Sequence, residues 1–256
     1  LRIGIMIIAH ISDTHIDLEN TDSSKRLDDV KRVVAMINAL DPLPNVVIHT
    51  GDIAHNGTVE KYAVALNVFK KLRMPLLAAA GNRDDRALIQ ENFLCGDNLL
   101  SDSPFVQYHS DVFPIRLIAL DTISASSNMG DYCPARADSL RAALNKNKTK
   151  RSVLFMHHPP FEVTNSKYRL QFDSLSGIEF MANALKGLDH VEAIFCGHAH
   201  REIRGSLGGI PAFGVPSVAV DLRLGELPPA AASAPVFYLH RFGPVSGFKT
   251  ELIIAS

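Results

Sequence analysis

Cysteine is scarce: Cys95, Cys133 and Cys196 are the three in a chain of 256 residues. An odd number with no C-x-x-C pair argues against a disulfide framework or a thiolate zinc knot, and favours a reducing cytoplasm. An excess of charge is missing as well. The 26 Lys and Arg against 27 Asp and Glu leave a formal net charge of -1, so there is no broad basic field for gripping polymeric DNA or RNA. Long apolar runs are also absent. The stretch "IGIMIIA" is far too short to span a bilayer and runs into polar residues without a small-residue cleavage site, so it reads as a strand and no membrane association is expected. There is no internal repeat and no extended low-complexity tract.

What remains is an ordinary globular composition, 46% hydrophobic and 21% charged, on a chain long enough to bury a substantial core without staples. Short apolar runs alternate with stretches of helical period, the pattern of βα units in an α/β fold. The spacing predicts strands over Ile3 to Ile11, Asn45 to Thr50, Pro75 to Ala80, Ile115 to Leu120, Ser152 to Met156 and Glu192 to Cys196. Leu27, Val30, Val34, Ile37 and Leu40 recur every three or four residues, as do Tyr62, Leu66, Phe69 and Leu72, and both sets predict amphipathic helices. Two further helices are expected around Leu140 to Leu144 and Ile178 to Leu188. Beyond residue 200 the chain turns β-rich, with strand-like runs "IPAFGVPSVAV", "PVFYLHRF" and "GFKTELII". "LGELPPAAASAP" is the most linker-like piece, yet the flanking strands can complete a sheet in the same body. The expectation is one domain over 1–256, with 205–256 as its β-rich C-terminal portion.

The ends of the predicted strands carry the chemistry: "ISDTH", "HTGD", "AAGNRD", "FMHHPP" and "FCGHAH". In an open α/β sheet, ligands collect outside the carboxyl ends of the strands, so five distant loops can converge. Asp13, His15, Asp52, Asn82, His157, His198 and His200 offer carboxylate, amide and imidazole donors without a thiolate. That mixture suits Mn, Fe, Zn or Co better than Ca or a structural thiolate zinc. Seven donors exceed one tetrahedral ion. Two ions roughly 3.5 to 4 Å apart, bridged by a carboxylate, would use them all and leave positions for water and substrate. D-x-H and H-x-H spacing would place each pair on one face of an extended segment. Taken singly, each of these groups also suits a cap or a turn.

In this order, D-x-H, GD, GNxD, H and GHxH resemble the calcineurin-like metallophosphoesterases. "GDIAHNGTVEKY" leading to "MPLLAAAGNRDD", together with "HHPP", is similar to the bacterial branch of class III cyclic-nucleotide and glycerophosphodiester phosphodiesterases, over roughly residues 6 to 217. The resemblance implies a four-layer αββα sandwich, two mixed β-sheets flanked by helices, with two metal ions at one sheet edge, Mn or Fe favoured. Carried over by position, one ion takes Asp13, His15, Asp52 and His200, and the other takes Asp52, Asn82, His157 and His198. Asp52 bridges. His158 is the alternative to His157 within "HHPP". His10, His49, His55, His190 and His240 match no ligand position. The implied activity is hydrolysis of small phosphodiesters by a hydroxide generated between the ions, with no covalent enzyme nucleophile. Phosphomonoester hydrolysis and a non-catalytic scaffold role are the alternatives.

One position departs from the pattern. The family usually has GNHD or GNHE, whose histidine binds phosphate and helps protonate the leaving group, whereas this chain has Arg83. Guanidinium clamps phosphate oxygens but is a very poor acid. Arg83 is therefore expected to keep the electrostatic half of the role, beside Asn82, while His158 or a water on the metals supplies the proton. The plainer reading of Arg83 is a surface pair with Asp84 or Asp85. The loops "FEVTNSKYRLQFDSLSG" and "DTISASSNMGDYCP" are candidates for specificity. In them Asn165, Tyr168 and Arg169 are either substrate contacts or solvated loop residues. The apolar C-terminal strands allow a homodimer or higher homo-oligomer.

Overall fold

The computed structural model describes residues 5–19, 21–93, 99–100, 104–164, 166–243 and 245–255. Cys95, Asn165 and the Ile3 and Gly4 start of the first predicted strand lie outside them. In chain order the elements are β1 (Met6–Ile11), α1 (Ser23–Ala39), β2 (Val46–His49), α2 (Val59–Phe69), β3 (Leu76–Ala78) and α3 (Arg86–Phe93). There follow β4 (Tyr108–Ser110), β5 (Arg116–Ala119), α4 (Pro134–Lys146), β6 (Ser152–Phe155), α5 (Leu175–Leu185) and β7 (Val191–Cys196). The tail is β8 (Ile203–Leu207), β9 (Ile210–Gly214), β10 (Val236–Gly243) and β11 (Gly247–Ile254).

Two mixed sheets result, one ordered β11-β10-β1-β2-β3 and the other β4-β5-β6-β7-β9-β8. Period-two alternation explains how the second sheet serves two interfaces. Leu117, Ala119, Val153, Phe155, Ala193 and Phe195 join the core shared with the first sheet. Their neighbours Ile118, Leu120, Leu154, Met156, Ile194 and Cys196 pack under α4 and α5. On the far side, Val30, Val33, Val34 and Ile37 of α1 and Tyr62, Ala65, Val68 and Phe69 of α2 cover the first sheet. The layers are thus helix, sheet, sheet, helix. Each fully buried Val, Ile or Phe contributes about 1.5–3 kcal/mol relative to exposure. The ring of Phe195 stacks on His240 across the two sheets, with centroids 3.8 Å apart and planes 9° apart.

Helix α2 starts where Thr58 takes extended backbone and its side chain accepts from Lys61 N. Helix α1 ends as Leu40 becomes extended ahead of Pro42 and Pro44. The linker-like segment is pinned rather than free: the guanidinium of Arg223 donates to the carbonyls of Ala231 (2.7 Å) and Ala234 (3.0 Å). Among the described residues, no helix is long and apolar enough to cross a membrane.

Two features of this topology position a site. Strands β1, β2 and β3 are parallel neighbours in one sheet, and β6 and β7 are parallel neighbours in the other. Their carboxyl ends face the same rim, so the five polar loops leave the two sheets side by side.

Candidate metal centre

The loops are laced together before any side chain is considered. Asp13 N donates to Gly51 O (3.0 Å), His15 N to Asp52 O (3.0 Å) and Ile16 N to Ile53 O (2.9 Å), so the segments after β1 and β2 run side by side. Gly51, at φ +97°, also needs its missing side chain, since a Cβ would lie 2.6 Å from Gly81 N and 2.8 Å from His157 Nδ1. The loops after β2, β3 and β6 meet at that point.

The paired ligands do not lie on extended backbone, as the spacing had led us to expect. Among the described residues, six that are not glycine have positive φ, and five of them are Asp13, His15, Asp52, His198 and His200. Each left-handed residue costs about 1–2 kcal/mol. Such strain persists where the surroundings over-determine it, typically at functional sites. The sixth is Asn56, which accepts from Arg83.

All seven predicted donors come together. His15 Nε2 lies 3.5 Å from Asp52 Oδ2 and 3.2 Å from His200 Nε2, which is itself 3.2 Å from Asp13 Oδ1. On the other side, His157 Nε2 lies 3.5 Å from Asp52 Oδ1, 3.0 Å from Asn82 Oδ1 and 3.2 Å from His198 Nδ1. Asp52 therefore turns one oxygen to each half. Donor atoms of Asp13, His15 and His200, and those of Asp13, Asp52 and His157, fall within 4.8 Å of one another.

The ring tautomers suit a cation. His157 Nδ1–H donates to Thr50 O (2.8 Å) and His200 Nδ1–H to Leu222 O (2.9 Å), which leaves both Nε2 atoms facing the cluster. Asp13 Oδ2 accepts from His198 N (2.9 Å), while the buried Asp13 Oδ1 has no aligned donor. Two imidazole nitrogens facing each other, beside an undonated buried carboxylate oxygen, is an arrangement a bound cation satisfies. In the protein alone, protons take up that role. Burial works against charging His157 and His200, yet Asp52 and Asp13 respectively hold their pKa values above the ordinary 6.5. The carboxyls of Asp13 and Asp52 stay well below the usual range despite burial, because those rings face them. Burial and the neighbouring His157 push His198 down to about 3.

The polar end of "LLAAAGNRDD" now has separate explanations for each residue. Asp84 is a structural hub that accepts from Tyr62 Oη (2.8 Å), Gly81 N (2.9 Å) and Ile53 N (3.1 Å). Asp85 accepts from Leu88 N at the start of α3 (2.9 Å). Neither carboxylate takes the guanidinium of Arg83, so the surface pair with them is not what the structure contains. Arg83 N donates to Asp52 Oδ1 (2.8 Å), and its Nη1 reaches Asn56 Oδ1 at 3.4 Å.

A cleft of about 240 Å³ opens over the cluster, lined by His15, Asp52, His55, Asn82, Arg83, Asn128, His198, His200 and Leu222. His158 is not among them. It is fully buried, with Nδ1 2.8 Å from Thr122 Oγ1 and Nε2 3.2 Å from Asn128 O. Both ring nitrogens are engaged, Nδ1 with Thr122 and Nε2 with Asn128 O at the cleft rim, and one ring nitrogen lies within 4.8 Å of donor atoms of His157 and His198, so His158 could give up a proton only by breaking one of these bonds. Burial, His198 and His157 also hold its pKa well below 6.5. Tyr168 and Arg169 are exposed loop residues outside the cleft, and Arg169 pairs with Glu162 at 2.6 Å. His55 lines the cleft without any motif spacing to announce it, whereas Asn128 lies in "DTISASSNMGDYCP", the loop singled out as a candidate for specificity, though not itself named there.

Comparison with known proteins agrees with this geometry. The family model described as calcineurin-like phosphoesterase matches residues 6–202. The chain is 31% identical over 253 residues to a probable glycerophosphodiester phosphodiesterase GpdQ of Arcobacter nitrofigilis, covering 96% of this chain and 92% of that one. It is 34% identical over 203 residues to the glycerophosphodiester phosphodiesterase GpdQ of Enterobacter lignolyticus, covering 76% and 71% respectively. Among solved structures, a dimetal phosphatase from Danio rerio has the same fold, with a TM-score of 0.70 at 16% identity over 98% of this chain and 99% of that one. With its αββα layers, its ordered loop motifs and a family match over most of its length, this chain belongs to the calcineurin-like phosphoesterase family of phosphoric ester hydrolases.

Proposed function

We propose that the chain is a two-metal phosphodiesterase acting on small phosphodiesters, either glycerophosphodiesters or cyclic nucleotides, and that it works as a single catalytic domain in the cytoplasm. The observation that carries this reading is Asp52, whose two oxygens lie 3.5 Å from His15 Nε2 and 3.5 Å from His157 Nε2. One carboxylate shared between two nitrogen-rich halves is the plan of a bridged pair of ions. Asp13, His15, Asp52 and His200 would hold one, and Asp52, Asn82, His157 and His198 the other. Mn or Fe suits the mixed oxygen and nitrogen donors. When bound, the two ions supply Lewis acidity toward the phosphoryl group and lower the pKa of a water toward neutrality.

The chain's own residues then have separate tasks. Thr50 O and Leu222 O hold the rings of His157 and His200 in the tautomer that presents Nε2. Arg83 places a permanent positive charge on the cleft wall for a phosphate oxygen, where charge grows in the transition state. The balanced net charge of -1 favours small esters over polymers.

The test is metal analysis of the purified protein, combined with turnover of bis-p-nitrophenyl phosphate, glycerophosphodiesters, cyclic nucleotides and monoesters with added Mn(II). The expected result is two ions per chain and turnover of diesters ahead of monoesters. Faster monoester turnover would overturn the diester assignment, and inertness with every ion would overturn the enzymatic reading.

A further inference from the structure

The loop between β5 and α4 is held with unusual completeness for an exposed segment. At its root, buried Asp121 accepts from Arg86 Nε (2.7 Å), Arg86 Nη2 (3.0 Å) and Val106 N (2.9 Å). Further along, Ser124 Oγ and Ser127 Oγ donate to the two oxygens of Asp173, at 2.7 and 2.6 Å. Gly130 N donates to Gln171 O (2.9 Å), and Asp173 N donates to Gly130 O (2.8 Å). Between these anchors lies Asn128, exposed and on the wall of the cleft that His198 and Arg83 also line. Its own carbonyl is fixed from below by His158.

The direction of that last contact can be worked out. A carbonyl only accepts, so the proton is on His158 Nε2, which donates to Asn128 O at 3.2 Å. Nδ1 is then the acceptor and takes the hydroxyl proton of Thr122 at 2.8 Å. Thr122, His158 and Asn128 thus form a neutral strut that runs from the second sheet to the cleft rim. The ring of His158 also packs against His198, with centroids 4.4 Å apart. Asn128 is consequently held at a fixed distance from the cluster.

We propose that Asn128 is a specificity residue whose carboxamide hydrogen-bonds a hydroxyl on one ester arm of the substrate, and that His158 is a positioning residue that holds it there. The proposal rests on the phosphodiesterase reading and refines it toward hydroxylated arms. A carboxamide both donates and accepts, which matches a hydroxyl, whereas the phosphoryl group already faces Arg83 and the donor cluster. A site that hydrogen-bonds a substrate hydroxyl discriminates against analogues lacking it.

The experiment compares kcat/KM for glycerophosphocholine, which carries hydroxyls, with that for bis-p-nitrophenyl phosphate, which does not. In Asn128→Ala the ratio of the two is expected to fall about tenfold. His158→Ala is expected to lower it similarly, whereas His158→Gln, which retains an N–H near the Nε2 position, keeps it within about threefold. An unchanged ratio in Asn128→Ala overturns the proposal. So does equal damage in both His158 variants concentrated on poor leaving groups, which would make His158 a proton donor. Calorimetric titration with sn-glycerol 3-phosphate and methyl phosphate separates this idea from the activity assignment. Asn128→Ala should weaken the first about tenfold relative to the second even if neither diester is turned over, and an unchanged affinity ratio overturns the proposal.

Discussion

His49 and Thr14 join the loops that carry Asp13, His15 and Asp52 through one directional chain. Gly51 N–H donates to His49 Nδ1 (3.1 Å), so the ring proton is on Nε2, which donates to Thr14 Oγ1 (3.0 Å). The Thr14 hydroxyl donates in turn to Ile53 O (2.9 Å). Burial, which pushes His49 down to about 3, keeps this neutral tautomer in place. The lock spans D-T-H and H-T-G-D, so it ties the two motifs that supply the shared carboxylate and its neighbours.

Thr14→Val removes the hydroxyl and leaves the buried His49 Nε2–H unpaired, while Ile53 O keeps its bond from Ile16 N, a cost of about 1–3 kcal/mol. Thr14→Ser keeps both bonds and should cost under about 1 kcal/mol, most of it the lost methyl. Urea unfolding in the presence of chelator measures both without a contribution from bound metal. Equal costs for the two variants would show that the hydroxyl does not lock the loops.

A buried histidine pair makes stability depend on pH. His10 Nδ1 and His240 Nε2 lie 3.1 Å apart with neither ring exposed, and the outer ring contacts Thr250 at 2.8 Å. Burial pushes His240 from 6.5 to about 3, and His10 is also lowered. Below pH 6.5 the unfolded chain takes up protons that the folded core refuses. The stability from each ring is therefore complete above that pH and is lost as pH falls below it, for His240 down to about 3, by up to about 1.4 kcal/mol per pH unit for each group. His240→Gln should make the slope between pH 6.5 and 5 shallower by about that amount in chelator. A slope identical to that of the wild type would place the acid sensitivity elsewhere.

Much of this was legible in the sequence. The six early strands, the four long helices and the β-rich tail follow from hydrophobic period, with most described ends within three residues of those expected, though α1 begins four residues before Leu27, α4 six before Leu140, and β9 stops six before the end of "IPAFGVPSVAV". Helix α3 and strands β4 and β8 were not anticipated. Helix α3 buries only Ile89 and Phe93, β4 has three residues, and β8 is an edge strand with exposed alternate positions, so none carries a full period of apolar residues. The seven donors were legible because short spacings at strand ends survive folding unchanged. His49 was not, and for His158 and the loop of Asn128 the sequence pointed to the region but not to the bond between them, because such contacts depend on which loop crosses which, information held in the packing of two sheets. The backbone at the paired ligands was misjudged for a related reason: D-x-H gives no local sign of positive φ at both ends.

Asp52→Asn tests the shared carboxylate. The amide keeps the shape, but it removes the negative charge and turns an NH2 toward one of the two rings. If Asp52 serves both halves, metal content should fall from two ions per chain to one or none. The activity loss should exceed the 10- to 100-fold typical of an outer supporting partner. Full metal content with intact activity would remove Asp52 from the centre.

On the proposed mechanism, the arginine at position 83 bears on how the leaving group is protonated. Its backbone N–H is fixed on Asp52 Oδ1 at 2.8 Å and its carbonyl accepts from Gly57 N at 2.8 Å, so residue 83 keeps its place whatever side chain it carries. Guanidinium there stabilises charge but releases no proton at ordinary pH. With His158 bonded to Thr122 and Asn128, the titratable side chain beside Arg83 on the cleft wall is His55, and burial, His15 and Arg83 hold its pKa below 6.5, so it carries little proton to give near neutral pH. The wild type should therefore favour diesters with aryl leaving groups, which depart without protonation. Arg83→His supplies an acid at the same backbone position, and general-acid catalysis contributes about 100-fold or more when well placed. Rates measured across a series of leaving groups should show the variant gaining about 10- to 100-fold on alkyl diesters relative to aryl ones, with a new decline in rate above about pH 6.5. An equal change for every leaving group, with no new limb in the pH profile, would mean that Arg83 does not stand where the proton is delivered.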